Sequence, residues 1–174
     1  MTAQVRRFRM NDRPELVVAI DAVCGEGVWM CTPRFEPDAC WEHALTAGAC
    51  PGHLLLVAED EHCVVGWCRL FPAQTDSHTA RQAELGIGLL PAYRDQGIGT
   101  DMLRRSLQWA QNMGLARVTL TARQDNQRAL HVFGHCGFRP VETLETGEVR
   151  LAWETRLSAW PKTGTAGDES QGPG

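Results

Sequence analysis

No run in this 174-residue chain approaches the ~20 apolar residues of a membrane-spanning helix, and Met1–Arg7 leads into no apolar core long enough for a secretory signal. A membrane partner therefore has no basis in the sequence. Surplus positive charge is also lacking: 17 Lys and Arg face 21 Asp and Glu, for a formal net charge of -4 and a pI near 5.8. Without that surplus there is no general attraction to nucleic acid or to anionic lipid, and a cationic partner is favoured instead. Paired CxxC motifs are missing, although Cys24, Cys31, Cys40, Cys50, Cys63, Cys68 and Cys136 are present. This odd set has no zinc-finger spacing, and no metal site is expected from it. The expectation is a cytoplasmic protein with reduced thiols, most of them small buried hydrophobes.

Two phosphate motifs fail for want of one residue each. A P-loop needs a lysine to reach the outer phosphates, and none follows Gly97 or Gly99. A dinucleotide fingerprint begun at Gly86-Ile87-Gly88 or at Gly97-Ile98-Gly99 meets Pro91 or Met102 where its third glycine belongs. What is present is Leu89-Leu90-Pro91-Ala92-Tyr93-Arg94-Asp95-Gln96-Gly97-Ile98-Gly99-Thr100, an apolar strand joined to an amphipathic helix through a glycine turn. The first turn of a helix has backbone N–H groups without intrahelical acceptors and the positive end of the macrodipole. Gly97 and Gly99 remove two Cβ atoms there, and Arg94 adds a forked cation. The segment predicts a site for a phosphorylated ligand.

Composition is that of an ordinary globular protein, with 43% hydrophobic and 22% charged residues. One domain is expected over residues 3–157, and the Gly, Thr, Ser and Pro-rich tail 158–174 is expected to be disordered, because it cannot bury enough apolar surface to offset its ordering entropy. Strands are predicted at 5–9, 53–58, 63–71, 84–90 and 117–122, with a closing hairpin of 138–144 and 149–157. Helices are predicted at 13–24 behind Asp12 and Pro14, at 37–47, from Gly97 to Gly114, and at 126–136. The third has the clearest periodicity, with Met102, Leu103, Ser106, Leu107, Ala110 and Met113 opposite a polar face. The fourth is expected to bury Ala129, Val132, Phe133 and Cys136.

The pattern Arg94-x-x-Gly97-x-Gly99, directly after the strand Glu84–Pro91, resembles the acetyl-CoA-binding motif of the GNAT superfamily of N-acetyltransferases. A second segment, Asp125-Asn126-Gln127-Arg128-Ala129-Leu130-His131-Val132-Phe133-Gly134-His135-Cys136-Gly137-Phe138, is similar to that family's N-x-x-A-x-x-x-Y-x-x-x-G-F signature. The resemblance implies an α/β (α+β) fold with a mixed, mostly antiparallel twisted sheet flanked by helices. It also implies a V-shaped splay between two central parallel strands, and acetyl-CoA as acyl donor. By the same resemblance, the backbone of Ile87 and Leu89 pairs with the pantetheine arm. The amides of Asp95, Gln96, Gly97, Ile98, Gly99 and Thr100 cradle the pyrophosphate beside Arg94, and Asn126 and Phe133 border the cofactor.

The implied reaction moves an acetyl group to a primary amine, foremost of a small molecule. A peptide or protein amine, or a silent CoA-binding regulatory domain, is the alternative. A base must first deprotonate the ammonium, and Glu84 stands where many relatives carry such a glutamate. Alternation along the strand turns its side chain opposite to those of Ile87 and Leu89 unless a bulge intervenes. The family's tyrosine acid is replaced by Phe133, and the one tyrosine, Tyr93, lies in the turn. The thiolate proton is left to water, or to His131, His135 or Cys136. Thr121 stands where relatives acting on protein N-termini often carry a glutamate. Acceptor recognition is expected from the N-terminal half, around residues 27–31 and Trp41, and family members are frequently dimers.

Overall fold

The computed structural model describes residues 3–29, 32–48, 50–73 and 81–155; the predicted tail 158–174 and most of the predicted loop 72–80 lie outside them. Among the described residues seven strands form one sheet: β1 (Gln4–Arg7), β2 (Leu54–Asp60), β3 (Cys63–Pro72), β4 (Gln82–Leu89), β5 (Arg117–Arg123), β6 (Arg139–Thr143) and β7 (Glu148–Glu154). Their order is β1-β2-β3-β4-β5-β7-β6, and every pair is antiparallel except β4 with β5. The helices are α1 (Arg13–Gly25), α2 (Ala39–Ala47), α3 (Ile98–Asn112) and α4 (Gln127–His135). Among the described residues no helix is long and apolar enough to cross a membrane.

The parallel pair follows from α3, since a strand that must re-enter the sheet in the same direction needs a long crossover. Its apolar stripe of Met102, Leu103, Ser106, Leu107 and Ala110 is buried against Leu54, Leu56, Cys68, Leu70, Ala83 and Leu85 of the sheet. On the opposite face, α1 and α2 pack Leu16, Ile20, Val23, Trp41 and Leu45 over Leu55, Val57, Trp67 and Phe71. Each strand thus alternates between two cores, which is why β2 and β3 read as continuous apolar runs. The β2–β3 turn places Glu61 and His62 at φ 47° and 69°, the left-handed pair of a two-residue hairpin. Asp38 caps α2 by accepting from the Trp41 amide at 2.9 Å, so this helix starts at Ala39 rather than at Pro37. In α4 only Phe133 is fully buried; Ala129, Val132 and Cys136 are half-covered. This helix lies at the rim of the cleft rather than over the sheet centre.

Burial of the thiols is uneven. Cys24 and Cys68 are buried, Cys40, Cys50 and Cys136 are intermediate, and Cys63 is exposed at the start of β3. Burial pushes Cys68, bonded to Ser106 at 3.2 Å, up to about 12, so it stays a protonated, inert thiol.

A bidentate pair joins β1 to the turn before α1: Arg6 donates to Asp12 at 2.7 and 2.8 Å, and the Arg9 amide donates to the same carboxylate at 2.6 Å. Burial raises the Asp12 pKa, but the bonds from Arg6 and Arg9 outweigh it and hold the group below its ordinary 3.8. A carboxyl depressed in the folded state stabilises fully above the unfolded value, and that contribution is lost as pH falls through the folded one. Asp12→Asn is expected to cost about 1–3 kcal/mol at neutral pH and to flatten the acid side of the stability curve below about pH 4, which thermal unfolding across pH will read.

Candidate functional site

The β4–β5 pairing stops early. Gln82, Ala83 and Glu84 face Arg117, Val118 and Thr119, and beyond them the two strands diverge while β4 stays zipped to β3 as far as Leu89. The bonds Ala73 N–H to Gln82 O and Leu90 N–H to Val65 O direct the even-numbered residues of β4 toward β3. Backbone direction alternates along a strand, so the amides and carbonyls of Leu85, Ile87 and Leu89 face the gap. The Leu89 carbonyl accepts from Arg94 Nε at 2.9 Å.

At the mouth of this gap α3 begins. Gly97 sits at φ 80° with no side-chain cap, and the first helical bond is Asp101 N–H to Gly97 O at 3.0 Å. The amides before it form an N-terminal cradle with the dipole's positive end behind them. Gly97 has nothing within 4 Å of where a Cβ would stand, and a Cβ on Gly99 would lie 3.5 Å from Leu89 Cδ1. Ile98 is buried under the turn, Thr100 and Gly99 line the cavity, and Gln96 donates to the Ala92 carbonyl at 2.7 Å. Arg94 does not project freely toward the cradle. Its fork grips Glu26 at 2.5 and 3.0 Å and thereby ties the turn to the end of α1. Asp95, at φ 61°, bridges to Arg128 on the first turn of α4. Arg128 lines the mouth, and no local pattern in the sequence marks it, because only the tertiary fold brings α4 to this turn.

Cradle and gap continue into one cavity of about 690 Å³ that reaches through the sheet to the α1–α2 side. Glu84 lines it there. The parity is as the alternation requires: Glu84 stands opposite Phe71 on the α1–α2 face, while Ile87 and Leu89 pack with the α3 core. No bulge interrupts β4. The two roles do not conflict, because the carboxylate reaches the cavity through its side chain and the odd-numbered residues reach it through their backbone. Glu84 accepts from Arg69 Nη2 at 2.8 Å through one oxygen, and that guanidinium lies 5.0 Å from the Phe71 ring centre and 5.8 Å from that of Trp41. Trp29, Phe35, Glu36 and Asp38 complete this end.

Gly86 and Gly88 serve a purpose that the failed fingerprint concealed. A Cβ on Gly86 would stand 2.8 Å from Arg69 Nε, and one on Gly88 would stand 2.6 Å from Trp67 Cζ2. Their absence is what lets Arg69 and Trp67 lie flat on β4 beside Glu84.

Asn126 caps α4 by accepting from the Ala129 amide at 3.1 Å, and Phe133 packs edge-on to Phe138 with centroids 6.1 Å apart; both line the cavity. His131 and His135 stack on each other at 6.4 Å on the exposed side of α4 and, like Cys136, are not among the cavity residues. Tyr93 donates to Asp60 at 2.9 Å, a bond that raises its pKa, and is likewise not among the cavity residues. Thr121 lines it, exposed.

Residues 19–138 match the sequence model of the Acetyltransferase (GNAT) family. By sequence, no curated protein matches the chain. Among solved structures, a GNAT-family acetyltransferase from Streptococcus pneumoniae superposes with a TM-score of 0.75 at 23% identity, over 86% of this chain and 96% of its own. YncA of Salmonella typhimurium, solved with acetyl-CoA, gives 0.76 at 15% identity over 94% and 99%. A phosphinothricin acetyltransferase from Sinorhizobium meliloti, also in complex with acetyl-CoA, gives 0.74 at 18% over 94% and 98%.

Proposed function

Because the chain belongs to the GNAT family of acetyltransferases, we propose that it moves the acetyl group of acetyl-CoA to the primary amine of a small molecule. The observation that carries this reading is the single cavity joining the α3 cradle and the β4 backbone edge to Glu84 and an aromatic end. Acetyl-CoA supplies an activated acyl group on a thiol that leaves readily. The rest is done by the chain and by one water. The amides around Gly97 hold the diphosphate, and Arg94 acts as a strut, fixing their loop to Glu26 rather than meeting phosphate itself. The odd-numbered amides of β4 bind along the pantetheine arm and meet negative charge as it develops on the thioester oxygen. Glu84 takes a proton from the acceptor ammonium, and Arg69 keeps its carboxylate turned into the cavity. Phe133 has no hydroxyl, so water protonates the departing thiolate.

Several features support a small acceptor. At the far end the carboxylates of Glu36, Asp38 and Glu84 outnumber the one guanidinium of Arg69 and favour a cation, and Trp29, Phe35 and Trp41 offer aromatic walls to an apolar body. Thr121 gives no carboxylate of the kind that relatives use for protein N-termini. The test is thiol release from acetyl-CoA across a panel of small amines and free-N-terminal peptides. Turnover with aryl or aliphatic amines is expected. Turnover with peptides alone removes the small-molecule reading, and silence across the panel despite CoA binding favours a regulatory CoA-binding domain, the reading that Phe133 suggests.

Gly97→Val probes the cradle. A branched residue at φ 80° costs about 1–2 kcal/mol of stability and places methyl groups where phosphate must approach. CoA affinity measured by calorimetry is expected to fall about tenfold or more. An unchanged Kd would move the diphosphate away from this turn.

A further inference from the structure

Where α2 gives way to β2, the geometry points to a zinc site made by His43, Cys50 and His53. One imidazole nitrogen from each histidine and the Cys50 sulfur all lie within 4.8 Å of one another. A tetrahedral Zn(II), with Zn–N near 2.0–2.1 Å and Zn–S near 2.3 Å, separates its ligand atoms by about 3.3–3.6 Å, so side-chain rotations of about 1 Å close the set. The spacing His43-x6-Cys50-x2-His53 is none of the common zinc signatures, because one ligand comes from a helix and two from the turn that follows it.

The surroundings suit a metal. His53 is only 5% exposed and its ring faces the Gly48 carbonyl, the kind of neighbour that orients a ligating imidazole. The Gly52 amide donates to Cys50 Sγ at 3.4 Å, which holds the sulfur beside the two rings. The His43 and His53 rings meet edge-on with centroids 5.5 Å apart, and His43 is exposed, which leaves the fourth position open to water. Two imidazoles and a thiolate, with no carboxylate in the set, select a borderline ion such as Zn(II) over Mg(II) or Ca(II). Binding there ties the end of α2 to the start of β2. His53 rests on Phe71 at 5.8 Å, and Phe71 on Trp41 at 5.1 Å, so the clip braces the aromatic end of the cavity.

The full chain, purified with Zn(II) and desalted, is expected to retain one equivalent. Co(II) loaded in its place is expected to show intense tetrahedral visible bands and a thiolate-to-cobalt charge-transfer band. Cys50→Ser and His43→Ala, at sites that are not fully buried, are expected to weaken Zn(II) about a hundredfold or more and to abolish that band, whereas Cys63→Ser, at an exposed thiol elsewhere, retains both. Added Zn(II) is expected to raise the melting temperature of the parent chain and not that of Cys50→Ser. No retained zinc, or a cobalt spectrum that persists in Cys50→Ser, overturns the site. A spectrum of the copper type, with Zn(II) rejected, overturns the choice of ion.

Discussion

Glu84→Gln is expected to lower kcat about 10²- to 10⁴-fold, the usual contribution of a general base, while CoA affinity stays at the parent value. The substitution keeps the side chain's shape and an oxygen to accept from Arg69 at the distance now seen, so the cavity wall survives and only the proton acceptor is lost. The cradle at Gly97 lies on another element and is untouched. Equal losses in kcat and in CoA affinity would mean a collapsed site rather than a missing base. An unchanged kcat would remove Glu84 from the chemistry and turn attention to Glu36, which lines the same end.

Gly88→Ala is expected to produce the largest loss of stability among single-methyl additions to β4. The new Cβ would stand 2.6 and 2.8 Å from Cζ2 and Cζ3 of Trp67, a ring 2% exposed and packed among α1, α2 and the sheet. A close-packed interior has no room to turn it aside. Overpacking of this kind costs about 1–3 kcal/mol, and each kcal/mol lowers the melting temperature of a chain this size by about 2–4 °C. The acceptor end is expected to suffer too, because Trp67 and Trp41 are both cavity walls. Trp67→Leu in the same chain gives the Cβ space, and the double variant is expected to lose less than the sum of the two single changes. A melting temperature unaltered by Gly88→Ala would show that Trp67 can yield at no cost.

Much of this molecule was legible in one dimension because its signals are local. The α3 periodicity, the glycine turn and the Pro14 start of α1 depend on residues within a few positions of one another, and those elements lie where the residues place them, whereas Asp12 turns its carboxylate back to Arg6 and Arg9 instead of capping α1, and β2 runs on to Asp60. Cavity-lining residues were legible where they belong to such an element: Gly97, Gly99 and Thr100 through the helix start, Asn126 and Phe133 through the spacing of α4. The Arg94 fork was not, since its partner Glu26 is 68 residues away and no pattern near the turn announces it. Arg69 and Arg128 escaped for the same reason. Gly86 and Gly88 looked like a broken phosphate motif, and only the neighbouring strand shows them to be space for Trp67 and Arg69.

By itself the amino-acid order determined the strand and helix succession, the parallel crossover and the helix-start cradle, because hydrophobic period, glycine freedom and unsatisfied amides act over a turn or two of chain. The tertiary structure decided that the cavity extends to the face of β4 on which Glu84 stands, and where the charged partners of the turn reside. It also decided how far β4 and β5 stay joined and which thiol and imidazoles meet at the end of α2. Those depend on contacts between residues distant in sequence, and such contacts exist only once two packed cores have set the sheet between them.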